Sequence, residues 1–229
     1  MGQRQTIPRS FSRTFLRNYE QMADITLVMI VRNRADRVKR AIESASNLVK
    51  SITILDQGSD DADRAYFEEV ADLYVRTTWK AFNEADRAYC FSLPSCDWIL
   101  NLDSDEYLDE ILQERIPHLV ESGPEVFWFH FTYLVDGVDV SPEFGDNLSP
   151  RLWKRRTETG QVTIKWPSVP GAFPKINTLK QCIVERGRIV HEQTFEDILR
   201  SYETQMQKGD PSALQFGRRF LERLRRYLS

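Results

Sequence analysis

The run Asp103-Ser104-Asp105-Glu106 follows directly on the apolar stretch Trp98-Ile-Leu-Asn-Leu102. Two carboxylates two residues apart, where a buried strand gives out, can share a hard divalent cation. Mg²⁺ and Mn²⁺ prefer oxygen ligands and take one or two carboxylates together with substrate phosphates and water. The competing reading is a helix N-terminal cluster, where acidic side chains sit well against the helix dipole. A second polar cluster, Asp56-Gln57-Gly58-Ser59-Asp60-Asp61, is turn chemistry. Gly and Asp tolerate unusual backbone angles, and Asp and Ser cap a helix that follows.

The elements that must position these clusters follow from apolar spacing. Ile25–Val31 is a continuous apolar run of seven residues, which predicts a strand buried on both faces. Over 35–49, Val38, Ala41, Ile42, Ala45, Leu48 and Val49 recur at helical intervals and make one apolar face. Strands are expected at 51–55, 73–76 and 98–102, and helices at 62–71 and 84–93, the last stopping at Pro94. This alternation predicts an α/β fold with an open, mostly parallel sheet sandwiched by helices. Ligands bind such sheets beyond the carboxyl ends of the strands. Three of those ends are polar: Arg32-Asn33, Asp56 to Asp61, and Asp103 to Glu106. Beyond Glu121 the character changes. Residues 126–134 are aromatic and predict a core strand. Residues 136–180 are rich in turns, with short strands expected at 151–154 and 162–166, a small mixed region laid on the sheet. Helices are expected at 195–206 and 213–228.

The 229 residues leave room for one large domain or two small ones, and a chain of this size buries enough surface to need no disulfide or metal for stability. A hydrophobic share of 41% and a charged share of 28% exclude a fibrous or generally disordered chain. The net charge of -3 gives no sign of a nucleic-acid binder. No apolar run approaches the roughly 20 residues that span a bilayer, so no transmembrane segment is expected. Cys90, Cys96 and Cys182 fit neither a disulfide framework nor a zinc site, so the expected compartment is the cytoplasm. Residues 1–24 read as an Arg-rich arm, with a transit peptide as the alternative and no secretory leader expected. The last helix holds Arg218, Arg219, Arg223, Arg225 and Arg226 against Glu222. It either packs its apolar face and leaves the arginines in water, or makes a peripheral contact at the inner membrane surface. The stretch Arg151-Leu-Trp-Lys-Arg-Arg156, with Trp166, reads as a charge-protected strand edge or as a grip for a sugar or phosphorylated acceptor.

Four features in order resemble the inverting glycosyltransferases of family 2, which have the nucleotide-diphospho-sugar (GT-A) fold. Ile25 to Asn33 is similar to the family's first strand, and Ile52 to Asp61 to its second with the Asp and Ser-x-Asp-like turn. Asp97 to Glu106 is similar to the strand ending in Asp-x-Asp, and His191-Glu192 to a late His-Glu pair. The resemblance implies a nucleotide-sugar-binding half over 25–110, an acceptor-side half over 111–192 and C-terminal helices over 193–229. It implies that Val31 to Asn33 line the nucleotide pocket, that Asp56 accepts hydrogen bonds from base or ribose, and that Asp103 sits by the ribose and metal. It implies that Asp105 binds Mn²⁺ or Mg²⁺ directly, with His191 as a third metal ligand or a diphosphate contact. Members often have Arg-Asn ten residues before the strand; here the pair is Arg87-Ala88, so Arg87 is either a diphosphate contact or a solvated surface group.

The implied reaction moves a sugar from a nucleotide diphosphate, UDP foremost, to a saccharide, lipid-linked glycan, protein or nucleobase acceptor. Inversion needs a carboxylate to take the acceptor's proton. Asp136, Asp139, Glu143, Asp146 and Glu192 are available, with Glu143 and Asp146 in a loop suited to an acceptor cleft and Asp136-Gly137 reading first as a turn. The alternatives are a degenerate GT-A interaction module, or a nucleotidyltransferase. The latter wants a Gly-rich loop where this chain has Arg32-Asn33-Arg34-Ala35.

Overall fold

The computed structural model describes residues 23–79, 84–145, 147–157, 160–161, 164–165, 175–207 and 221–228. The first half alternates as the apolar spacing predicts. In order come β1 (Ile25–Val31), α1 (Ala35–Ala45), β2 (Ser51–Asp56), α2 (Asp61–Val70), β3 (Leu73–Arg76), α3 (Glu84–Ser92) and β4 (Trp98–Asn101). Every residue of β1 is buried because both faces are covered. On one side Leu27 and Met29 pack with Val38, Ala41 and Ile42 of α1. On the other, Val28 and Ile30 pack with Cys90 and Phe91 of α3.

The second half is β5 (Glu106–Leu108), α4 (Glu110–Leu119), β6 (Val126–Val135), β7 (Val138–Asp139), α5 (Ser141–Phe144) and β8 (Leu148–Lys154). Two short ribbons follow, β9 (Arg156–Thr157) with β10 (Gly160–Gln161) and β11 (Ile164–Lys165) with β12 (Lys175–Ile176). The long β13 (Gln181–Gln193), α6 (Phe195–Gln207) and a helical segment at 221–228 complete the described chain.

The main sheet runs β3-β2-β1-β4-β8-β6-β13-β5, with β7 on β6. The strands β3, β2, β1 and β4 are parallel, so their carboxyl ends share one rim. β8 enters antiparallel beside β4, and beyond it directions mix: β6 is antiparallel to β8, and β13 is parallel to β6 but antiparallel to β5. The run of consecutive parallel strands therefore belongs to the first half of the chain. The aromatic β6 is an inner strand with Phe127 and Phe129 fully buried. β8 lies between β4 and β6, which corrects the strand-edge reading of its charges: Arg151, Leu152 and Trp153 are all buried.

β13 has no counterpart among the expected strands. Its apolar residues are interrupted by Glu185-Arg186-Gly187-Arg188, and the pairing with β6 shifts register between Val184 and Ile189. Gly187 makes that bulge possible, with a φ of 90°, and a Cβ there would stand 2.7 Å from the Leu112 side chain. Replacing Gly187 by Ala is expected to cost about 1–3 kcal/mol, read as a lower denaturant midpoint at unchanged slope.

The described part of the C-terminal helix packs against the protein. Leu224 is buried against Val135 and Val140, with Phe195 and Ile198 alongside. Arg223 pairs with Glu143 at 2.5 Å, and Arg225 lies over the Phe195 ring. Among the described residues no helix is long and apolar enough to cross a membrane. Cys90, Cys96 and Cys182 are free thiols. The arm expected over 1–24, apart from Ala23 and Asp24, lies outside the described residues, as do Asp146, Trp166, Arg218 and Arg219.

Candidate active site

The shared rim of the parallel strands is built by turns that lock one another. Asn33 and Arg34, straight after β1, both adopt left-handed backbone angles, with φ of 57° and 66°. Two such non-glycine residues in a row need outside support. The Asn33 amide donates to Ser59 Oγ at 2.7 Å, and Asn33 Oδ1 accepts from the Asp60 amide at 2.9 Å. Asp56 is fully buried. Its Oδ1 accepts from the Gly58 amide, the Ser59 amide and Ser59 Oγ, and its Oδ2 accepts from the Tyr74 hydroxyl at 2.7 Å. Burial, then that bond to Asp56, pushes the Tyr74 phenol well above its usual range. The Asp56 carboxylate, expected to meet the donor, is thus occupied in holding the turn. The Val31 carbonyl is likewise engaged, by the Gln57 amide at 2.9 Å.

At the end of β4 a buried charge network forms. Asn101 Nδ2 donates to the Val28 carbonyl, and its Oδ1 accepts from both Arg87 and Arg151. Arg87 donates to Asp103 Oδ1 and Oδ2 at 3.0 Å each, and Arg151 donates to Asp103 Oδ2 at 3.0 Å. Arg151 also bonds Glu106 Oε1. Burial alone would raise the Asp103 carboxyl, but Arg87 and Arg151 outweigh it and hold it below the usual carboxylate range. Burial pushes Glu106 up, with Arg151 opposing. Arg87 is therefore a buried member of the site and not a surface group, although Ala88 stands where an Asn was expected. Both Asp103 oxygens accept from guanidinium groups.

Asp105, at the tip of the turn, faces elsewhere. Its Oδ2 lies 3.4 Å from His191 Nε2 and accepts from Gln193 Nε2 at 2.8 Å. His191 Nδ1 stands 3.8 Å from Glu106 Oε1, and the Tyr133 ring lies beside the imidazole. Burial would push the His191 imidazole down; Asp105, then Glu106 and Asp103, outweigh it and lift it to about 9. Among the described residues no three His, Cys, Asp or Glu side chains converge into a ready-made metal cage. The pair fits a cation all the same: adjacent ligands of an octahedral ion at 2.0–2.1 Å stand about 3 Å apart, and Mg²⁺-type sites draw further ligands from phosphates and water. Asp105 and His191 can thus form one corner of such a shell.

The candidate bases separate. Glu192 lines a cavity of about 350 Å³ together with Asp105, Arg37, Arg40, Tyr107 and Gln193. Side chains alternate along a strand, so Glu192 turns away from His191 and pairs with Arg40, whose other nitrogen bonds the Tyr107 hydroxyl. Glu143 is held by Arg223 on the C-terminal helix. Asp136 and Gly137 have φ of 49° and 80° and form the expected turn between β6 and β7, with Asp136 Oδ2 accepting from the Phe195 amide. Asp139 accepts from Ser141.

Residues the sequence reading left out are Asn101, Gln193 and the pairing of Arg32 with Trp79. Arg32 lies 4.8 Å above the Trp79 ring, joining the segment after β1 to the segment after β3. The β1 and β3 ends, both adjacent to β2, were the available signal.

The profile of Glycosyl transferase family 2 matches residues 26–175, more than half of the chain. The chain belongs to that family. The family 2 chain is 33% identical over 101 residues to a glycosyltransferase of Rickettsia felis described as uncharacterized, covering 44% of this chain and 35% of the relative. It is 28% identical over 130 residues to LpsC, a lipopolysaccharide core biosynthesis glycosyltransferase of Rhizobium meliloti, covering 52% of this chain and 46% of LpsC. The matched stretches thus span less than half of these curated relatives. The crystal structure of residues 1–349 of S. aureus TarS in complex with UDP superposes with a TM-score of 0.50 at 11% identity, covering 79% of this chain and 64% of that one. That likeness shows the GT-A fold.

Proposed function

We propose that this family 2 chain is a glycosyltransferase that moves a sugar from a UDP-sugar to an acceptor hydroxyl by metal-assisted single displacement, with inversion at the anomeric carbon. The observation that carries the reading is the Asp105–His191 pair, set beside an Asp103 fixed by two arginines, at the carboxyl rim of the parallel strands. The UDP held by TarS supports uracil as the base.

Breaking the bond to the diphosphate leaves negative charge on the departing phosphate. Asp105 and His191 would hold a Mn²⁺ or Mg²⁺ ion, which would supply the neutralising charge without proton transfer. Asp103 is given the ribose: Arg87 and Arg151 orient it, and Oδ1, bonded to Arg87 alone, keeps a lone pair for a hydroxyl. Asp56 and Asn33 shape the nucleotide pocket by holding its turns. Glu192 is the proposed base, because it lines the cavity next to Asp105. The acceptor hydroxyl gives its proton to Glu192 as its oxygen bonds the anomeric carbon and the bond to the diphosphate breaks.

The direct test is a panel of nucleotide sugars incubated with Mn²⁺ and glycan acceptors, with the product anomer read by NMR. Turnover fastest from UDP-sugars, with inverted configuration, is expected. Retained configuration, or no turnover of any donor, overturns the reading.

The His191 imidazole gives two opposite pH trends. A cation needs it neutral, so below about pH 9 metal binding expels a proton and affinity falls about tenfold per pH unit. Stability moves the other way. A folded-state pKa raised from 6.5 to about 9 contributes stability that is present below 6.5 and is lost as pH rises through about 9. Calorimetric Mn²⁺ titrations and metal-free melting curves between these pH values are expected to slope oppositely. A pH-independent Mn²⁺ affinity would contradict His191 as a ligand.

A further inference from the structure

Arg151 stands on β8, in the acceptor-side half, yet its guanidinium reaches the turn that ends β4. One nitrogen, Nη1, donates to Asn101 Oδ1 at 3.0 Å. The other, Nη2, donates to Asp103 Oδ2 at 3.0 Å and to Glu106 Oε1. The turn also closes on itself: the Asp103 amide donates to Glu106 Oε2 at 2.9 Å, and the Glu106 amide to the Asp103 carbonyl at 3.0 Å. Phe131 of β6 lies against the guanidinium, its ring centroid 5.5 Å from the central carbon. Arg151 thus binds the last residue of β4 and both ends of the turn, and its bonds pass by Asp105, the residue at the tip.

We propose that Arg151 is a positioning residue: it pins both ends of the Asp103-to-Glu106 turn, so that Asp105 is presented to His191, and thereby sets the affinity of that pair for a divalent cation. This rests on the reading above that Asp105 and His191 take the metal. The physical reason is geometric. A planar fork bonds three oxygens on two residues of the turn and one of the strand in a fixed arrangement. A lysine at this place offers one point charge and loses that arrangement. Arg87 cannot substitute, since its bonds go to Asn101 and Asp103 and leave the Glu106 end to Arg151.

The experiment uses the full chain with Mn²⁺ alone and no nucleotide. Affinity is measured by calorimetry, and the place of binding by paramagnetic broadening of the His191 imidazole resonance. Arg151→Lys is expected to remain folded by circular dichroism and to bind Mn²⁺ about 10- to 100-fold more weakly, the loss typical of a residue that orients metal ligands. Broadening of His191 should then need correspondingly more Mn²⁺. A purely structural role would lower the melting temperature and leave the affinity of the folded protein alone. A folded Arg151→Lys whose affinity lies within about twofold of the parent overturns the proposal. If Arg151→Lys does not fold, the double variant Arg151→Gln with Glu106→Gln decides by the same two criteria, since it leaves no buried carboxylate unpaired at that end. A parent protein that binds no Mn²⁺ overturns both the metal reading and this proposal; a parent that binds it at His191 while Arg151→Lys binds equally well overturns this proposal alone.

Discussion

Asp105→Asn is expected to lower kcat by about a thousandfold or more, which corresponds to about 4 kcal/mol of transition-state stabilisation. The size follows from where charge develops. In the proposed reaction the departing diphosphate gains negative charge, and among the described residues Asp105 and His191 are the groups proposed to hold a cation against it. Asp103 is not expected to take over, because Arg87 and Arg151 already neutralise its charge and hold it in place. Asn keeps the shape of the side chain and its capacity to accept from Gln193, so the fold should survive; Asp105 contributes nothing to the apolar clusters that bury β1. A circular dichroism spectrum close to the parent, a melting temperature lowered because the buried His191 imidazolium loses its chief partner, and lost turnover with lost Mn²⁺ binding are the expected combination. Turnover within about tenfold of the parent would remove Asp105 from the metal role.

Glu192→Gln is expected to lower kcat by about 10²–10⁴-fold, the range for loss of a positioned general base. Its effect should differ in kind from that at Asp105. Glu192 lines the same cavity but is neither a proposed metal ligand nor a proposed donor contact, so the KM for the donor and the affinity for Mn²⁺ should hold while transfer to the acceptor falls. Gln cannot accept a proton but occupies the same volume. Arg40, the partner it loses, is half exposed and remains hydrated, and it still bonds the Tyr107 hydroxyl. Steady-state kinetics with donor and acceptor varied separately make the distinction. An unchanged kcat would return the role of base to the other carboxylates, Asp136 first, since it lines the same cavity.

The first half of the fold was legible because a strand buried on both faces leaves an unbroken apolar run, and each helix between such strands shows its period. Ile25–Val31 and Leu73–Arg76 have the same bounds in sequence and structure. The second half was less legible for identifiable reasons. β13 is broken by Glu185-Arg186-Gly187-Arg188, which only a bulge accommodates, so neither period appears. β5 is only three residues long, and α4, though capped by Asp109, carries Pro117 inside it, which obscures its period.

The site divides in the same way. The spacing of Asp103 and Asp105 pointed to cation chemistry, but the two roles are separated by arginines 16 and 48 residues from Asp103, a pairing that only the packing of α3 and β8 against β4 creates. Asp56 carries the expected turn, and the turn itself consumes the carboxylate. Arg151 looked like one charge among several in a basic stretch; its neighbours Leu152 and Trp153 were the clue that the strand is buried on both faces.

The central claim is that Asp105 and His191 hold a cation against the diphosphate of the donor. A crystal of the protein grown with Mn²⁺ and UDP, with anomalous scattering used to locate the metal, tests it most directly. The expected map has a single manganese peak between the Asp105 carboxylate and the His191 imidazole, in contact with the diphosphate, with Asp103 still on Arg87 and Arg151. UDP bound with that place empty, or manganese held by other residues, would contradict the account.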